Sequence, residues 1–248
     1  MSLWVIVPAK EPWRAKSRLA GVLTPARRWS LSMQLLERTL VAVRDAVLVD
    51  RCLVISSAAP HLALARSYGA VAVSELRTAR ADRRPRPSPA EGADPLNAAL
   101  RQAAEVAVRG GATALLVLHA DLVQITSGAI DQMLRAAPDG PAVVLAPDHD
   151  HKGTNALLMR PPLVIPFLFG PGSFDAHSRV AAALHVPLVV HENPFLADDL
   201  DTPDDLTLLR AADSEETPGT AHERRSGSET ADPCRLPADA SARSTTVV

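Results

Sequence analysis

The chain has 248 residues, of which 47% are hydrophobic and only 3% aromatic, and its formal net charge is −2. This length and composition favour one large α/β domain with a core of Ala, Val and Leu. The near-neutral charge provides no global field directed at nucleic acid or a membrane, so we expect neither as a partner. The cysteines Cys52 and Cys234 suggest neither a disulfide framework nor a zinc site. Because no apolar run approaches 18 residues, we expect a cytoplasmic protein.

The first predicted element is an apolar strand at residues 3–8, which leads into a basic loop. This loop carries four cationic side chains within nine positions, namely Lys10, Arg14, Lys16 and Arg18. A strand, a basic loop and a helix in succession are typical of α/β proteins that hold phosphates with cationic side chains and free backbone N–H groups. The spacing matches neither a Walker loop nor Gly-x-Gly-x-x-Gly. From these residues alone, a phosphate site and a solvated basic loop remain open alternatives.

Strands and helices then alternate along the chain. Hydrophobic periodicity and capping residues predict further strands at 51–56, 70–73, 113–118, 142–146, 156–159 and 187–191. They predict helices at 25–47, 60–68, 95–108, 127–137, 173–184 and 203–212. This alternation predicts an α/β fold with a mainly parallel sheet and right-handed crossovers.

Two segments interrupt this pattern. Residues 77–93 combine arginines with prolines, which excludes a central strand and disfavours a helix, so we predict a flexible insertion. From residue 213 the chain has almost no large apolar side chain, and we predict a disordered tail over 213–248. The predicted domain therefore covers residues 1–212.

Polar residues follow several of the predicted strands, where α/β sheets collect their ligands. These residues lie at 10–18, at Asp121, at 148–155 and at Asp199 with Asp201. An Asp delivered by a buried strand suits Mg²⁺, which is usually held by one or two carboxylates and by substrate phosphates. Helix N-capping is the alternative role for Asp121 and for Asp201.

The remaining polar segments are less specific. Residues 148–151 read Asp-His-Asp-His, and we interpret them as a solvated turn rather than a metal site. We interpret the isolated histidines His61, His177, His185 and His191 as surface or packed residues. The segments Gly153-Thr-Asn155 and Gly170-Pro-Gly-Ser173 could cradle an anion, although the second also fits an ordinary turn with a helix cap.

Five short segments, taken together, are more specific than any of them alone. In chain order they are Val7-Pro-Ala-Lys10 with Ala15-Lys-Ser-Arg-Leu19, Leu96-Asn-Ala-Ala-Leu100, Gly153-Thr-Asn-Ala-Leu-Leu158, Phe169-Gly-Pro-Gly-Ser-Phe174 and Leu200-Asp-Thr-Pro-Asp-Asp-Leu206. With them the sequence resembles, over residues 3–210, the guanylyltransferases of deazaflavin-coenzyme (factor 420) biosynthesis that act on 2-phospho-L-lactate or phosphoenolpyruvate. The sequence departs from that family at 119–123, where His and Val replace two prolines, and at Asp94-Pro95, where the family is glycine-rich.

The resemblance implies a Rossmann-like, GT-A-type nucleotidyltransferase fold, with a mainly parallel mixed sheet flanked by helices. It implies that the three-carbon phosphoacid is bound by Thr154, Gly170 and Ser173. It implies that Mg²⁺ is bound by Asp121, Asp199 and Asp201. It implies that GTP is held by Lys10, Lys16, Arg18 and, near the nucleoside, Asn97. The catalytic residues would be Lys16, Arg18 and Asp121.

The expected activity is GMP transfer from GTP to phosphoenolpyruvate, with release of pyrophosphate. The same chemistry on 2-phospho-L-lactate or 3-phosphoglycerate is one alternative. An alternative of another class is a non-catalytic nucleotide-binding module that regulates a partner enzyme. The expected ligands are GTP and the phosphoacid, and a homodimer is left open.

Overall fold

The strands meet in one mixed sheet, which is seven-stranded over the part of the chain that the structure describes. They are β1 (Leu3–Pro8), β2 (Arg51–Ser56), β3 (Val71–Ser74), β4 (Ala114–Leu118), β5 (Ala142–Pro147), β6 (Thr154–Arg160) and β7 (Leu188–Val190). Their order across the sheet is β3-β2-β1-β4-β6-β5-β7. β6 runs antiparallel to β4 and β5, whereas the other neighbours are parallel. The predicted mainly parallel mixed sheet is confirmed.

The computed structural model describes residues 1–10, 17–76, 94–200 and 206. All of these residues belong to one compact unit, Met1–Glu216. The predicted insertion at 77–93 and the predicted tail at 213–248 lie outside the described residues. The predicted helix at 203–212 also lies outside them except for Leu206, which is helical.

The helices flank the sheet. They are α1 (Pro25–Asp45), α2 (Ala59–Ser67), α3 (Pro95–Arg109), α4 (Ser127–Arg135), α5 (Ser173–Ala183) and α6 (Pro194–Ala197), and a 3₁₀ helix covers Ser17–Gly21. The first five match predicted helices, with ends that differ by at most two residues. The sequence did not predict α6, since four residues are too few to show a helical period.

Capping residues set the starts of α1 and α3. Thr24 accepts a hydrogen bond from the backbone N–H of Arg27, and Pro25 occupies the first turn of α1. Asp94 accepts a hydrogen bond from the backbone N–H of Leu96 in the same way at the start of α3. These side chains satisfy N–H groups that have no partner inside the helix.

Hydrophobic cores form on both faces of the sheet. Alternate residues of β1 point to opposite faces, so that Val5 packs with Leu40 of α1, whereas Ile6 packs with Leu100 of α3. The alanines of α3 let this helix approach the sheet closely. Gly110, just after α3, lies against the ring of Trp4, since an added Cβ would be 2.5 Å from Cη2 of Trp4. Burial on both faces explains why the strands are continuous apolar runs.

The reversed direction of β6 determines where the polar residues meet. Since β6 is antiparallel to its neighbours, its first residues lie at the edge where β4 and β5 end. The backbone N–H of His119, just after β4, donates to the carbonyl of Asn155 at 3.1 Å. The polar residues before and at the start of β6 therefore share one edge of the sheet with those that follow β4. No helix in the described part of the chain is both long and apolar enough to span a membrane.

Candidate active site

The basic loop begins where β1 ends. Lys10 is exposed there, and the backbone N–H of Ala9 donates to the carbonyl of Ile55 at 2.9 Å, which fixes the exit from β1. Residues 11–16, including the predicted Lys16, lie outside the described residues. The backbone of Arg18 lies in the 3₁₀ helix, but its side chain is outside the description. The nucleotide-binding roles of Lys10, Lys16 and Arg18 remain predictions.

The residues that follow this loop in the sequence are anchored beside the candidate metal-binding segments. Leu19 is fully buried in a small cluster that also contains Val123 and Leu200. Val123 lies two residues after Asp121, and Leu200 directly follows Asp199. The 3₁₀ helix that carries Arg18 therefore packs against the backbone that carries both aspartates.

Asp121 and Asp199 lie on two segments that pair as a short antiparallel bridge. Leu122 and Asp199 are bridge partners. The N–H of Val123 donates to the carbonyl of Asp198 at 3.1 Å, and the N–H of Leu200 donates to the carbonyl of Asp121 at 3.0 Å. The bridge brings together the backbone segments of two of the three predicted metal ligands, Asp121 and Asp199, which are 78 residues apart by number in the sequence. The third, Asp201, lies outside the described residues.

Asn155 supports the Asp199 segment from the start of β6. Its buried side-chain amide donates to the carbonyls of Leu196, at 3.0 Å, and Ala197, at 2.9 Å. These carbonyls end α6, directly before Asp198 and Asp199. Because terminal carbonyls of a helix have no partner within it, this amide holds the end of α6 against β6.

Thr154, which precedes Asn155 at the start of β6, is a second polar side chain of the site. Its hydroxyl oxygen lies 3.1 Å from Nδ1 of His177 on α5. The other ring nitrogen, Nε2, accepts a hydrogen bond of 3.0 Å from the backbone N–H of Leu168. Thr154 and His177 are both buried. The ring of His177 therefore connects the start of β6 to the loop that precedes α5.

The environment of His177 keeps its imidazole neutral at physiological pH. The pKa of His177 is lowered to about 4, against 6.5 for an unperturbed histidine, and burial is the main cause. A hydrogen bond to the backbone of Ser173 opposes this shift, and the proximity of His119 contributes to it. The ring of Phe169 packs edge-on against that of His177, with centroids 5.0 Å apart.

Asn97 fixes the loop between Phe169 and Ser173. Its amide donates to the carbonyl of Phe169 and accepts from the N–H of Phe169, both at 2.9 Å. Both groups of the Asn97 amide are therefore hydrogen-bonded to one backbone residue. The sequence predicted a nucleotide contact for Asn97, which remains a prediction; the pairing with Phe169 adds a role in shaping the loop.

The loop itself requires glycine and ends at a helix start. Gly170 has φ of +132°, and a Cβ there would lie 3.4 Å from Oδ2 of Asp94. Gly172 has φ of +73° and is the N-cap of α5. Ser173, the first residue of α5, is buried, and its N–H donates to the carbonyl of Gly170 at 3.1 Å. The loop thus presents backbone close to a helix N-terminus, where the dipole favours an anion.

The turn before β6 is organised by Asp148. Its carboxylate accepts from the N–H groups of Lys152 and Gly153, both at 2.8 Å. The exposed His149, Asp150 and His151 lie in the same turn, as expected from the sequence. Over the described ranges, no three His, Cys, Asp or Glu side chains are grouped so as to hold a metal ion. The N–H of Phe174 donates to the carbonyl of Lys152 at 3.3 Å, which ties the turn to α5.

Sequence reasoning singled out Thr154, Gly170 and Ser173 but missed His177 as part of the site. The interpretation of His177 as a packed residue is correct for its burial, yet its two ring nitrogens make specific hydrogen bonds. One signal was present in the sequence, because His177 is four residues after Ser173 and so lies on the same face of α5. Nothing local pointed to Thr154 as its partner.

Comparisons with known proteins identify the family of this chain. Residues 88–217 match a family model described as "Guanylyl transferase CofC like". A phosphoenolpyruvate guanylyltransferase from Rubrobacter xylanophilus is 42% identical over 86% of this chain and 95% of its own length. A 3-phospho-D-glycerate guanylyltransferase from Colwellia psychrerythraea is 31% identical over 83% of this chain and 90% of its own length.

Solved structures confirm the predicted fold class. A nucleotidyl transferase from Methanothermobacter superposes with a TM-score of 0.60, covering 87% of this chain and 99% of that one, at 16% identity. At this identity the likeness shows the fold alone. Together with the family match and the two relatives, it leads to one conclusion: this chain belongs to the CofC-like guanylyl transferase family and is a nucleotidyltransferase.

Proposed function

We propose that the protein transfers the GMP group of GTP to phosphoenolpyruvate. A phosphate oxygen of phosphoenolpyruvate attacks the α-phosphorus of GTP, the bond from this phosphorus to the bridging oxygen of the β-phosphate breaks, and pyrophosphate leaves. The product is enolpyruvoyl-diphospho-guanosine, an intermediate for deazaflavin-coenzyme (factor 420) biosynthesis. The attacking oxygen is already anionic, so the reaction needs no general base to activate it.

The observation that carries this proposal is the hydrogen bond from the N–H of His119 to the carbonyl of Asn155. It joins the backbone that leads to Asp121 with the backbone of the residue next to Thr154. A carboxylate segment suited to a metal therefore follows β4, beside the start of β6, which is suited to an anion. Transfer between two bound phosphates depends on such proximity, because positioning supplies a large part of the rate enhancement.

In this proposal separate sets of residues bind the phosphoacid and GTP. Thr154, Gly170 and Ser173 bind the phosphoacid through a hydroxyl, loop backbone and the N-terminus of α5. Lys10, Lys16 and Arg18 bind the triphosphate of GTP and stabilise the charge that develops on pyrophosphate.

The carboxylates fit Mg²⁺, since they are hard oxygen donors and the bridge at Leu122 and Asp199 brings two of their segments together. We propose that Asp121, Asp199 and Asp201 hold this ion. When bound, it supplies charge neutralisation to the phosphate oxygens. Asn155 contributes by fixing the end of α6, from which Asp199 follows.

The two relatives support phosphoenolpyruvate as the first candidate acceptor. The relative named for phosphoenolpyruvate is 42% identical, whereas the one named for 3-phospho-D-glycerate is 31% identical. 3-Phosphoglycerate is therefore the second candidate. A cytoplasmic location and a homodimer remain predictions.

The test is pyrophosphate release from GTP and Mg²⁺ with phosphoenolpyruvate, 2-phospho-L-lactate and 3-phosphoglycerate assayed in parallel. We expect the highest kcat/KM with phosphoenolpyruvate. The variant Asp121→Asn serves as the matched control, because it keeps the size of the side chain and removes its charge; we expect it to fold and to lose turnover. GTP binding without pyrophosphate release from any acceptor would instead favour a regulatory nucleotide-binding module.

A further inference from the structure

The tautomer of His177 determines the direction of the hydrogen bond between Thr154 and His177. A backbone N–H can only donate, so the N–H of Leu168, 3.0 Å from Nε2 of His177, requires Nε2 to be an unprotonated acceptor. A neutral imidazole then carries its proton on Nδ1. Nδ1 is the nitrogen that faces the hydroxyl of Thr154 at 3.1 Å.

It follows that Thr154 is the acceptor in this pair. The backbone of Ser173 also accepts a hydrogen bond from the His177 ring. In either case a protonated Nδ1 has no lone pair for the hydroxyl of Thr154, which leaves the hydroxyl's own proton for a different acceptor. The structure also links Thr154 to the Gly170–Ser173 loop. His177 is one helical turn after Ser173, and the N–H of Phe174 bonds the carbonyl of Lys152, two residues before Thr154. An anion held by this loop is therefore a suitable acceptor for the hydroxyl of Thr154.

We propose that His177 is a positioning residue that orients the hydroxyl of Thr154 as a donor to an oxyanion of the phosphoacid. This inference rests on the proposed function and adds a residue to it. The Leu168 N–H selects the tautomer, the tautomer fixes Thr154 as acceptor, and the hydroxyl proton points to the substrate. His177 itself touches neither substrate in this scheme.

The packing around His177 supports a fixed ring. The side chain is fully buried, and Phe169 contacts the ring edge-on with centroids 5.0 Å apart. Asn97 fixes the backbone of Phe169 through two bonds of 2.9 Å, so the N–H of the preceding Leu168 is also held in place. A ring held by hydrogen bonds to Leu168, Thr154 and the backbone of Ser173, and by an aromatic neighbour, keeps its tautomer without help from the substrate.

A double-mutant cycle on the full chain tests the proposal. The variants are Thr154→Val, His177→Phe and both together, and the readouts are KM for phosphoenolpyruvate and KM for GTP. A hydrogen bond to a charged group corresponds to about tenfold to a hundredfold in affinity, so we expect Thr154→Val to raise KM for phosphoenolpyruvate by roughly that factor. We expect His177→Phe to raise KM for phosphoenolpyruvate in the wild-type background but to have little further effect on it in the Thr154→Val background. KM for GTP should stay within about twofold.

Two further substitutions separate the ring nitrogens. Asn at 177 can place an amide donor near the position of Nδ1, whereas Gln can place an acceptor near that of Nε2. If the Nδ1 proton orients Thr154, His177→Asn should keep a lower KM for phosphoenolpyruvate than His177→Gln. If His177 only accepted the N–H of Leu168, His177→Gln would retain this acceptor, and its KM for phosphoenolpyruvate would be equal to or lower than that of His177→Asn.

A matched control is available elsewhere in the chain. His61 is also fully buried, and its Nδ1 lies 3.0 Å from the hydroxyl of Ser56. His61→Phe removes a comparable buried pair from α2, on the other face of the sheet from α5. We expect it to lower the melting temperature without the selective rise in KM for phosphoenolpyruvate.

The tautomer is tested without turnover by ¹⁵N NMR of histidine-labelled full-length protein, with the signal assigned by its absence in His177→Phe. We expect a neutral ring with the proton on Nδ1 that does not titrate between pH 6 and 8. A proton on Nε2 would overturn the inference. The inference would also be overturned if His177→Phe and Thr154→Val raised KM for phosphoenolpyruvate independently, so that their effects multiplied in the double variant. Turnover by the wild type would in that case leave the proposed function standing. No turnover with any phosphoacid would overturn both.

Discussion

The side-chain amide of Asn97 pairs with the backbone of Phe169 in both directions, through two hydrogen bonds of 2.9 Å. This contact joins the first turn of α3 to the loop that carries Gly170 and Ser173. Asn97 is only 6% exposed, so the bonds are shielded from water. The loop that we propose for phosphoacid binding is therefore shaped by a side chain 72 residues earlier in the sequence.

Replacing this amide should destabilise the protein and disturb the loop together. Asn97→Leu leaves the N–H and the carbonyl of Phe169 buried without partners, and each such group costs about 1–3 kcal/mol. We expect the free energy of unfolding to fall by roughly 3 kcal/mol, as measured by urea denaturation. KM for phosphoenolpyruvate should rise, since the backbone before Gly170 is no longer fixed.

Ala98→Ser, at the exposed neighbouring position, is the control and should change neither quantity. A selective rise in KM for GTP, with stability unchanged, would contradict the structural role. It would instead support the nucleotide contact that the sequence predicted for Asn97.

Gly153 is a second position where the structure gives a sharp expectation. A Cβ there would lie 2.6 Å from Oδ2 of Asp148, the oxygen that accepts the N–H of Gly153 itself. Gly153→Ala must displace this carboxylate and open the turn that leads into Thr154. We expect a lower melting temperature and a higher KM for phosphoenolpyruvate.

Two variants control for the effect of the added methyl group. A Cβ at Gly128, in the first turn of α4, meets no atom within 4 Å, so Gly128→Ala should not destabilise the protein. In an Asp148→Ala background the clash is gone, and Gly153→Ala should add little further loss. An equal loss in both backgrounds would show that the carboxylate is not the cause.

The contrast between α3 and β6 shows how far the sequence determines this fold. Asp94 and Pro95 mark the start of α3 in the sequence, because a cap and a first-turn proline act within a few residues. The direction of β6 has no such local signal. An apolar run of strand length reads the same whether it pairs in parallel or antiparallel, so the meeting of Thr154 with the end of β4 follows only from the structure.

The candidate site shows the same division. Thr154, Gly170 and Ser173 could be selected because their residue types suit an anion and because the segments resemble a known family. The partners that orient them could not be selected in this way. His177 and Asn97 act through contacts that span 23 and 72 residues, and such pairings depend on tertiary packing rather than on local pattern.

Thr154 and Asn155 should affect different parts of the reaction, because adjacent residues of a strand point to opposite faces. The amide of Asn155 holds the carbonyls of Leu196 and Ala197 before Asp199. Asn155→Leu should therefore raise the Mg²⁺ concentration needed for half-maximal rate, with a smaller change in KM for phosphoenolpyruvate. Thr154→Val should show the reverse. Equal effects of both variants on Mg²⁺ and on phosphoenolpyruvate would contradict this division.

The depressed pKa of His177 predicts a loss of stability in mild acid. Its pKa is about 4 in the folded protein, against 6.5 as the reference for the unfolded chain. Between these pH values the unfolded chain binds more protons than the folded protein. The free energy of unfolding therefore decreases as pH falls from about 6.5 to 4, and the stability that the neutral His177 contributes is complete only above that window. A shift of this size corresponds to roughly 3 kcal/mol.

Urea denaturation of the wild type and of His177→Phe at several pH values between 4 and 7 measures this contribution. The variant lacks the titrating ring, so the difference in stability between the two proteins should shrink as pH falls. Burial also lowers the pKa of His61, but His61 is present in both proteins and its effect largely cancels. His119 lowers the pKa of His177 through its charge, so His119→Gln should reduce the acid sensitivity slightly. A wild-type curve parallel to that of His177→Phe across the window would show that His177 titrates normally in the folded protein.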